Sequence, residues 1–284
     1  MFSFKKKSID THTQLAREII LHAHIFKNAG TTIDWILERN FGKRFRDDRE
    51  DKRMRLEPKY LESVISSKLD LTAISSHSMP LPPRLIDRVN FHIIVMLRHP
   101  LLRVRSFYEF ERKQEASTLG AINAKKKTFK EYVAWRMCSD VPPTIRNMQV
   151  RYLTSNAFPA KKEPSIEHLQ KAIEFSEANL LLGIVEKFDQ SIIVFSEYFS
   201  DAGIDLDFAY RKQNVGARKE RNVESELQQL NSDLGDDLYQ LLLEQNTLDS
   251  RLYEHCEKLI TTRVESIDGV QNKLDRLRTE SDAL

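Results

Sequence analysis

Four short runs of branched apolar residues, separated by stretches with helical spacing, constrain this chain more than any other feature. The runs cover residues 19–26, 71–75, 91–97 and 180–185. Each is bounded by polar or turn residues, the pattern of strands buried on both faces of a parallel sheet. Residues 31–41, 58–68, 101–113, 129–137, 166–176 and 188–199 repeat their apolar positions with a helical period. Strands alternating with helices predict an α/β fold, a doubly wound parallel sheet flanked by helices.

Beyond Gly203 the strand signal stops. Val223, Leu227, Leu230, Leu234, Leu238 and Leu241 recur at spacings of three and four, which predicts an amphipathic helix interrupted only by Gly235. The expected organisation is an N-terminal extension at 1–17, an α/β domain at 18–220, and a helical segment at 221–284. That segment either packs on the domain or mediates oligomerisation. Residues 142–164 read as irregular, with prolines around one short helical stretch.

The net charge is only +2, so the total gives no reason to expect a nucleic-acid partner. The basic residues between Lys43 and Arg55, interrupted by Asp47, Asp48, Glu50 and Asp51, read as a solvated loop or as a rim that attracts an anion, and loops at 43–55 and 119–128 are where an acceptor would be contacted. Cys138 and Cys256 are far apart, match no metal spacing and are expected to be idle thiols. The N-terminal basic run is followed by no apolar stretch, and no segment approaches the ~20 apolar residues of a membrane helix. A cytoplasmic location is expected.

Two blocks carry chemistry. In the first, a strand runs into Lys27-Asn28-Ala29-Gly30-Thr31-Thr32 and then into a helix. Small residues bring backbone close to a ligand, and amides at a helix N-terminus favour an anion. Lys27 adds an ammonium, and Thr31 and Thr32 add hydroxyls or a helix cap. Lysine precedes the only glycine, so this is not the ATP-binding loop, in which it follows the second one. In the second block, an apolar strand ends at Arg98-His99-Pro100, proline opens a helix, and Ser106 lies two turns in. Arginine offers a bidentate fork to phosphate oxygens, and serine a neutral donor, whereas Arg103 and Arg105 read as solvated or salt-bridged.

The first block resembles the 5′-phosphosulfate loop, and the second the 3′-phosphate motif, of the sulfotransferases that use 3′-phosphoadenosine 5′-phosphosulfate (PAPS). The similarity is greatest to the carbohydrate branch of the heparan sulfate 2-O-sulfotransferase type (sulfotransferase family 2). Phe26 stands where that family has proline, Asn28 where threonine is common, and His99 where an acidic or amide residue is usual. Weaker matches are Arg146 to Leu153, Gly183 to Asp189, and the pattern of Asn246, Leu248, Asp249, Leu252 and Tyr253. The last two read as packing and cap signals.

The resemblance implies a metal-independent transfer of a sulfuryl group from PAPS to a hydroxyl, on a glycan by family likeness. Lys27, with the amides from Asn28 through Ala29, Gly30 and Thr31 to Thr32, would hold the 5′-phosphosulfate. Arg98 and Ser106 would hold the 3′-phosphate, with Arg218 from a closing loop as a further contact. His77, just past the second apolar run, occupies the place of the family's histidine base, with Ser76 replacing a glycine. His22 and His24 alternate on the first strand and read as core or crevice-lining residues, and His99 as a second polar group near the nucleotide. Two other readings stay open. An atypical kinase would need magnesium and carboxylates to hold it. A non-catalytic nucleotide- or glycan-binding module would oligomerise through its C-terminal helices.

Overall fold

The computed structural model describes residues 16–154, 163–179, 181–211 and 222–284. Its centre is a five-stranded, all-parallel sheet. The strands are β1 (Arg17–Ala23), β2 (Phe45–Asp47), β3 (Ala73–Ser76), β4 (Val89–Leu97) and β5 (Leu182–Ile184), in the order β2-β3-β1-β4-β5. β1 pairs with β4 from Arg17 opposite Val89 to Ala23 opposite Val95, and with β3 from Ile20 opposite Ala73 to Ala23 opposite Ser76. From β1 the chain runs to the edge strand β2, returns to β3 beside β1, and then crosses to β4 and β5 on the other side. The crevice above β1 and its neighbours is therefore a switch point, where ligands bind in open α/β sheets.

Alternation along β1 sorts the core into two layers. Ile19, Leu21 and Ala23 face α3 (Tyr60–Ser67), α8 (Ile166–Ala178) and α12 (Thr247–Glu265). Ile20, with Ile94 and Met96 of β4, faces α1 (Gly30–Phe41), α9 (Phe188–Asp201) and α13 (Val270–Asp282). A third cluster joins α4 (Pro100–Lys113), α5 (Leu119–Lys126), α6 (Phe129–Arg136), α10 (Val223–Leu234) and α11 (Asp236–Glu244). Leu252, Cys256 and Ile260 of α12 are fully buried at spacings of four, so the C-terminal helices share the core of the sheet. Each such aliphatic burial contributes about 1.5–3 kcal/mol relative to exposure.

Three readings need correcting. Residues 43–55 are not a loop: they include β2, the sheet's edge strand, and the start of α2 (Asp51–Leu56), tied by Arg46–Asp48 and Arg49–Asp47 ion pairs. Residues 119–128, read as a loop able to contact an acceptor, are mostly α5, which opens on Thr118 accepting from the Ala121 amide. The leucine pattern of 223–241 is two helices, because Gly235 takes φ +79° between α10 and α11. The short helical stretch among the prolines is α7 (Met148–Leu153). Among the described residues no helix is long and apolar enough to cross a membrane. Cys138 is exposed, Cys256 is buried, and both are free.

Candidate active site

The loop between β1 and α1 holds two non-glycine residues in the left-handed region, Lys27 at φ +67° and Ala29 at φ +59°. Each costs on the order of 1 kcal/mol, so other contacts must impose the shape. Asn28 supplies several of them. It is buried, and its Nδ2 donates to the Met96 carbonyl at 2.8 Å and to Gln149 Oε1 at 2.7 Å. Two arginines draw the loop carbonyls inward: Arg103 donates to Phe26 O at 3.3 Å and Arg98 to Lys27 O at 3.2 Å. With the carbonyls tied down, the amides of Ala29, Gly30 and Thr31 have no acceptor among the described residues. Successive free amides at a helix start make an anion-binding nest.

Two of the five amides expected to face an anion are already used. Asn28 N donates to Ile25 O at 3.2 Å and Thr32 N to Ala29 O at 3.0 Å. Asn28 is an anchor rather than a ligand. Neither threonine caps α1, whose N-cap is Ala29 with no side-chain bond. Thr31 is exposed and Thr32 buried. Gly30 is required by contact: a Cβ there would lie 2.1 Å from the His24 ring.

Lys27 has no carboxylate in ion-pair range among the described residues, and its ammonium lies 5.0 Å from the Phe110 ring centroid. Burial lowers its pKa, and the charge of Arg98 lowers it further. Ser106 is half-buried on α4 and shares a helix face with Phe110, four residues on. Arg98 begins at the tip of β4, next to β1. Its Nε is 3.8 Å from Glu186, and Gln149 holds both its backbone groups at 2.8 Å. Burial raises the Glu186 pKa against the opposing pull of Arg98.

His77 follows β3, so His77, Lys27 and Arg98 follow the ends of three adjacent strands. Its Nδ1 lies 2.9 Å from the His24 carbonyl. A carbonyl only accepts, so Nδ1 carries the proton and neutral His77 presents a bare Nε2. Burial, then the nearby His24, lowers its pKa, which keeps that form populated. Its ring packs 4.2 Å from His24 and 5.7 Å from Phe26, centroid to centroid.

Other side chains here escaped the sequence reading. Asp34 on α1 accepts from Nδ1 of His22 at 2.6 Å and of His24 at 2.8 Å, and Arg49 reaches it at 3.2 Å. Burial raises the Asp34 carboxyl, but the two rings outweigh it and hold it below the usual range. Gln149 and Glu186 were visible only as pieces of weak motifs. Arg103, expected to be solvated or salt-bridged, is instead buried, donates to Thr144 O at 2.7 Å, and is pushed down to about 10 by burial. Arg105 does pair, with Asp233. His99 is the N-cap residue of α4; its ring stacks edge-on to Tyr253 with Nδ1 buried and unpartnered. Asp249 accepts from the Gln149 and Val150 amides, and Asn246 from the Asn147 amide. Arg218 lies outside the described residues.

No family model matches the chain. An uncharacterized protein of Archaeoglobus fulgidus is 31% identical over 248 residues, covering 84% of this chain and 95% of its own length. Identity at that level, over nearly the whole of both chains, shows that this chain belongs to the same family as the archaeal protein.

Proposed function

We propose that this protein transfers a sulfuryl group from PAPS to a hydroxyl, with a carbohydrate as the acceptor class. The observation that carries the reading is the convergence of three groups at adjacent strand ends. These are a lysine that has no carboxylate in ion-pair range among the described residues, beside unspent helix-start amides, an arginine one strand away, and a histidine with its Nδ1 occupied.

In the proposed step the acceptor oxygen attacks sulfur while the bond from sulfur to the phosphate bridging oxygen breaks. His77 Nε2 takes the acceptor proton, work typically worth ~100- to 10,000-fold. Lys27 meets the charge that grows on the bridging oxygen, and the amides of Ala29, Gly30 and Thr31 hold the 5′-phosphate in a preformed cradle. Arg98 and Ser106 take the 3′-phosphate. The products are a sulfate ester and 3′-phosphoadenosine 5′-phosphate.

Calorimetry with 3′-phosphoadenosine 5′-phosphate and with ATP, both without magnesium, tests the binding half. The bisphosphate should bind and ATP should bind at least about tenfold more weakly, a difference of ~1.4 kcal/mol. Equal affinities, or no binding of the bisphosphate, would overturn the reading. Transfer of labelled sulfate from PAPS to a panel of sugars then tests the acceptor class.

A further inference from the structure

Beside His77, three side chains converge that have no role in the proposed sulfuryl transfer. His22 and His24 project from one face of β1 because strand residues two apart point the same way. Asp34 reaches them from the second turn of α1. The Nδ1 atoms of His22 and His24 lie 2.6 and 2.8 Å from opposite carboxylate oxygens, and the three donor groups fall within 4.8 Å of one another. Both histidines are buried, at 1% and 6% exposure.

We propose that His22, His24 and Asp34 form a binding site for a divalent transition-metal ion, with Zn2+ as the reference ion. Two imidazole nitrogens and a carboxylate are a borderline donor set, suited to zinc and its neighbours rather than to magnesium or calcium, which prefer all-oxygen shells. Bonds of ~2 Å in a tetrahedral shell put neighbouring donors ~3.3 Å apart. The two nitrogen–oxygen spacings would open by about 0.5–0.7 Å to reach that value, and the widest donor spacing, within 4.8 Å, would close toward it. The donors sit on a strand and a helix rather than on loops, which keeps the set together.

The competing arrangement is the one in which protons alone link the two rings to the carboxylate. It has a weakness in Arg49, whose guanidinium approaches Asp34 at 3.2 Å but Asp47 at 2.7 Å. Arg49 therefore keeps a carboxylate when an ion takes Asp34. Ser75 Oγ, 3.0 Å from His22 Nδ1, adds an oxygen beside the cluster. The ion would fix His24, whose carbonyl holds His77, and would not touch the reacting atoms. The inference stands independently of the sulfuryl-transfer reading.

The test titrates chelator-treated full-length protein with Zn2+ by calorimetry and with Co2+ by visible absorption. One equivalent should bind. Asp34→Asn and His24→Gln should each weaken Zn2+ binding by more than about 100-fold, beyond the ~10- to 100-fold that loss of an outer supporting partner costs. His77→Ala should bind as wild type does. Should a variant fail to fold by circular dichroism, Cu2+ bound to the wild type must still show splitting from imidazole nitrogens in its paramagnetic resonance spectrum. A wild type that takes up no metal, folded Asp34→Asn and His24→Gln variants that bind normally, or a copper spectrum without nitrogen splitting would each overturn the proposal.

Discussion

The tips of β1 and β4 are built alike and finished differently. Each ends an apolar strand with a cation and then starts a helix, at Gly30 in one case and Pro100 in the other. At the β1 tip Lys27 has no carboxylate in ion-pair range among the described residues, and three amides lack acceptors. At the β4 tip Arg98 has Glu186 within 3.8 Å, and Glu186 also accepts from the His99 amide at 3.1 Å. A half-buried cation held without a counter-charge is ready for an external anion. A cation with a buried carboxylate beside it also has structural work. The difference separates a group kept for a ligand from one shared between ligand and fold.

The largest expected effect concerns the β1 tip. Lys27→Ala should lower PAPS-dependent transfer about 100- to 1,000-fold while moving stability by less than about 0.5 kcal/mol in urea unfolding. Unchanged turnover would remove Lys27 from the chemistry. His77→Ala comes next, with a loss of about 100-fold or more in turnover and calorimetric affinity for 3′-phosphoadenosine 5′-phosphate unchanged. Because the His77 pKa lies below 6.5, the acidic fall in wild-type rate should be centred below pH 6.5. A fall centred above that value would point to another base.

Arg98→Ala sharpens the comparison, since it should cost stability where Lys27→Ala does not. Removing the bond to Lys27 O and the neighbour of Glu186 should destabilise by about 1–3 kcal/mol in the same unfolding assay. Equal stability of the two variants would erase the contrast.

The smallest effect belongs to His99, lowered to about 4 by burial and then by Arg98. Its folded-state pKa is below its unfolded value, so the unfolded chain binds the proton first as pH falls. The stability of neutral His99 is complete above pH 6.5 and is lost as pH falls toward 4. The loss should amount to roughly 1–2 kcal/mol once partial solvent access is allowed for, and His99→Gln should abolish it. An identical pH dependence of stability in that variant would assign the acid sensitivity elsewhere.

Much of this was legible in one dimension. Buried parallel strands need uninterrupted apolar runs, which is why β1, β3, β4 and β5, and the helices after β1, β4 and β5, stand out. β2 carries Arg46 and Asp47 because an edge strand pairs on one side only, so it has no such run to read. The positions of Lys27, Arg98 and His77 were readable because each follows a strand end. The His22–His24–Asp34 cluster was not, because Asp34 meets the histidines only when α1 folds back over β1. The inward pull of Arg103 was hidden for a similar reason: its partners Phe26 and Thr144 are 77 and 41 residues away.

Gln149 has a consequence of its own. Its fully buried amide touches Asn28 of one strand tip and both backbone groups of Arg98 at the other, while its own N–H is held by Asp249 of α12. One side chain thus acts as a gauge block between the two grips, clamped from the far end of the chain. A shift of α12 would change the spacing between the two tips, and so the spacing on offer to the proposed bisphosphate, without altering any group proposed to touch it.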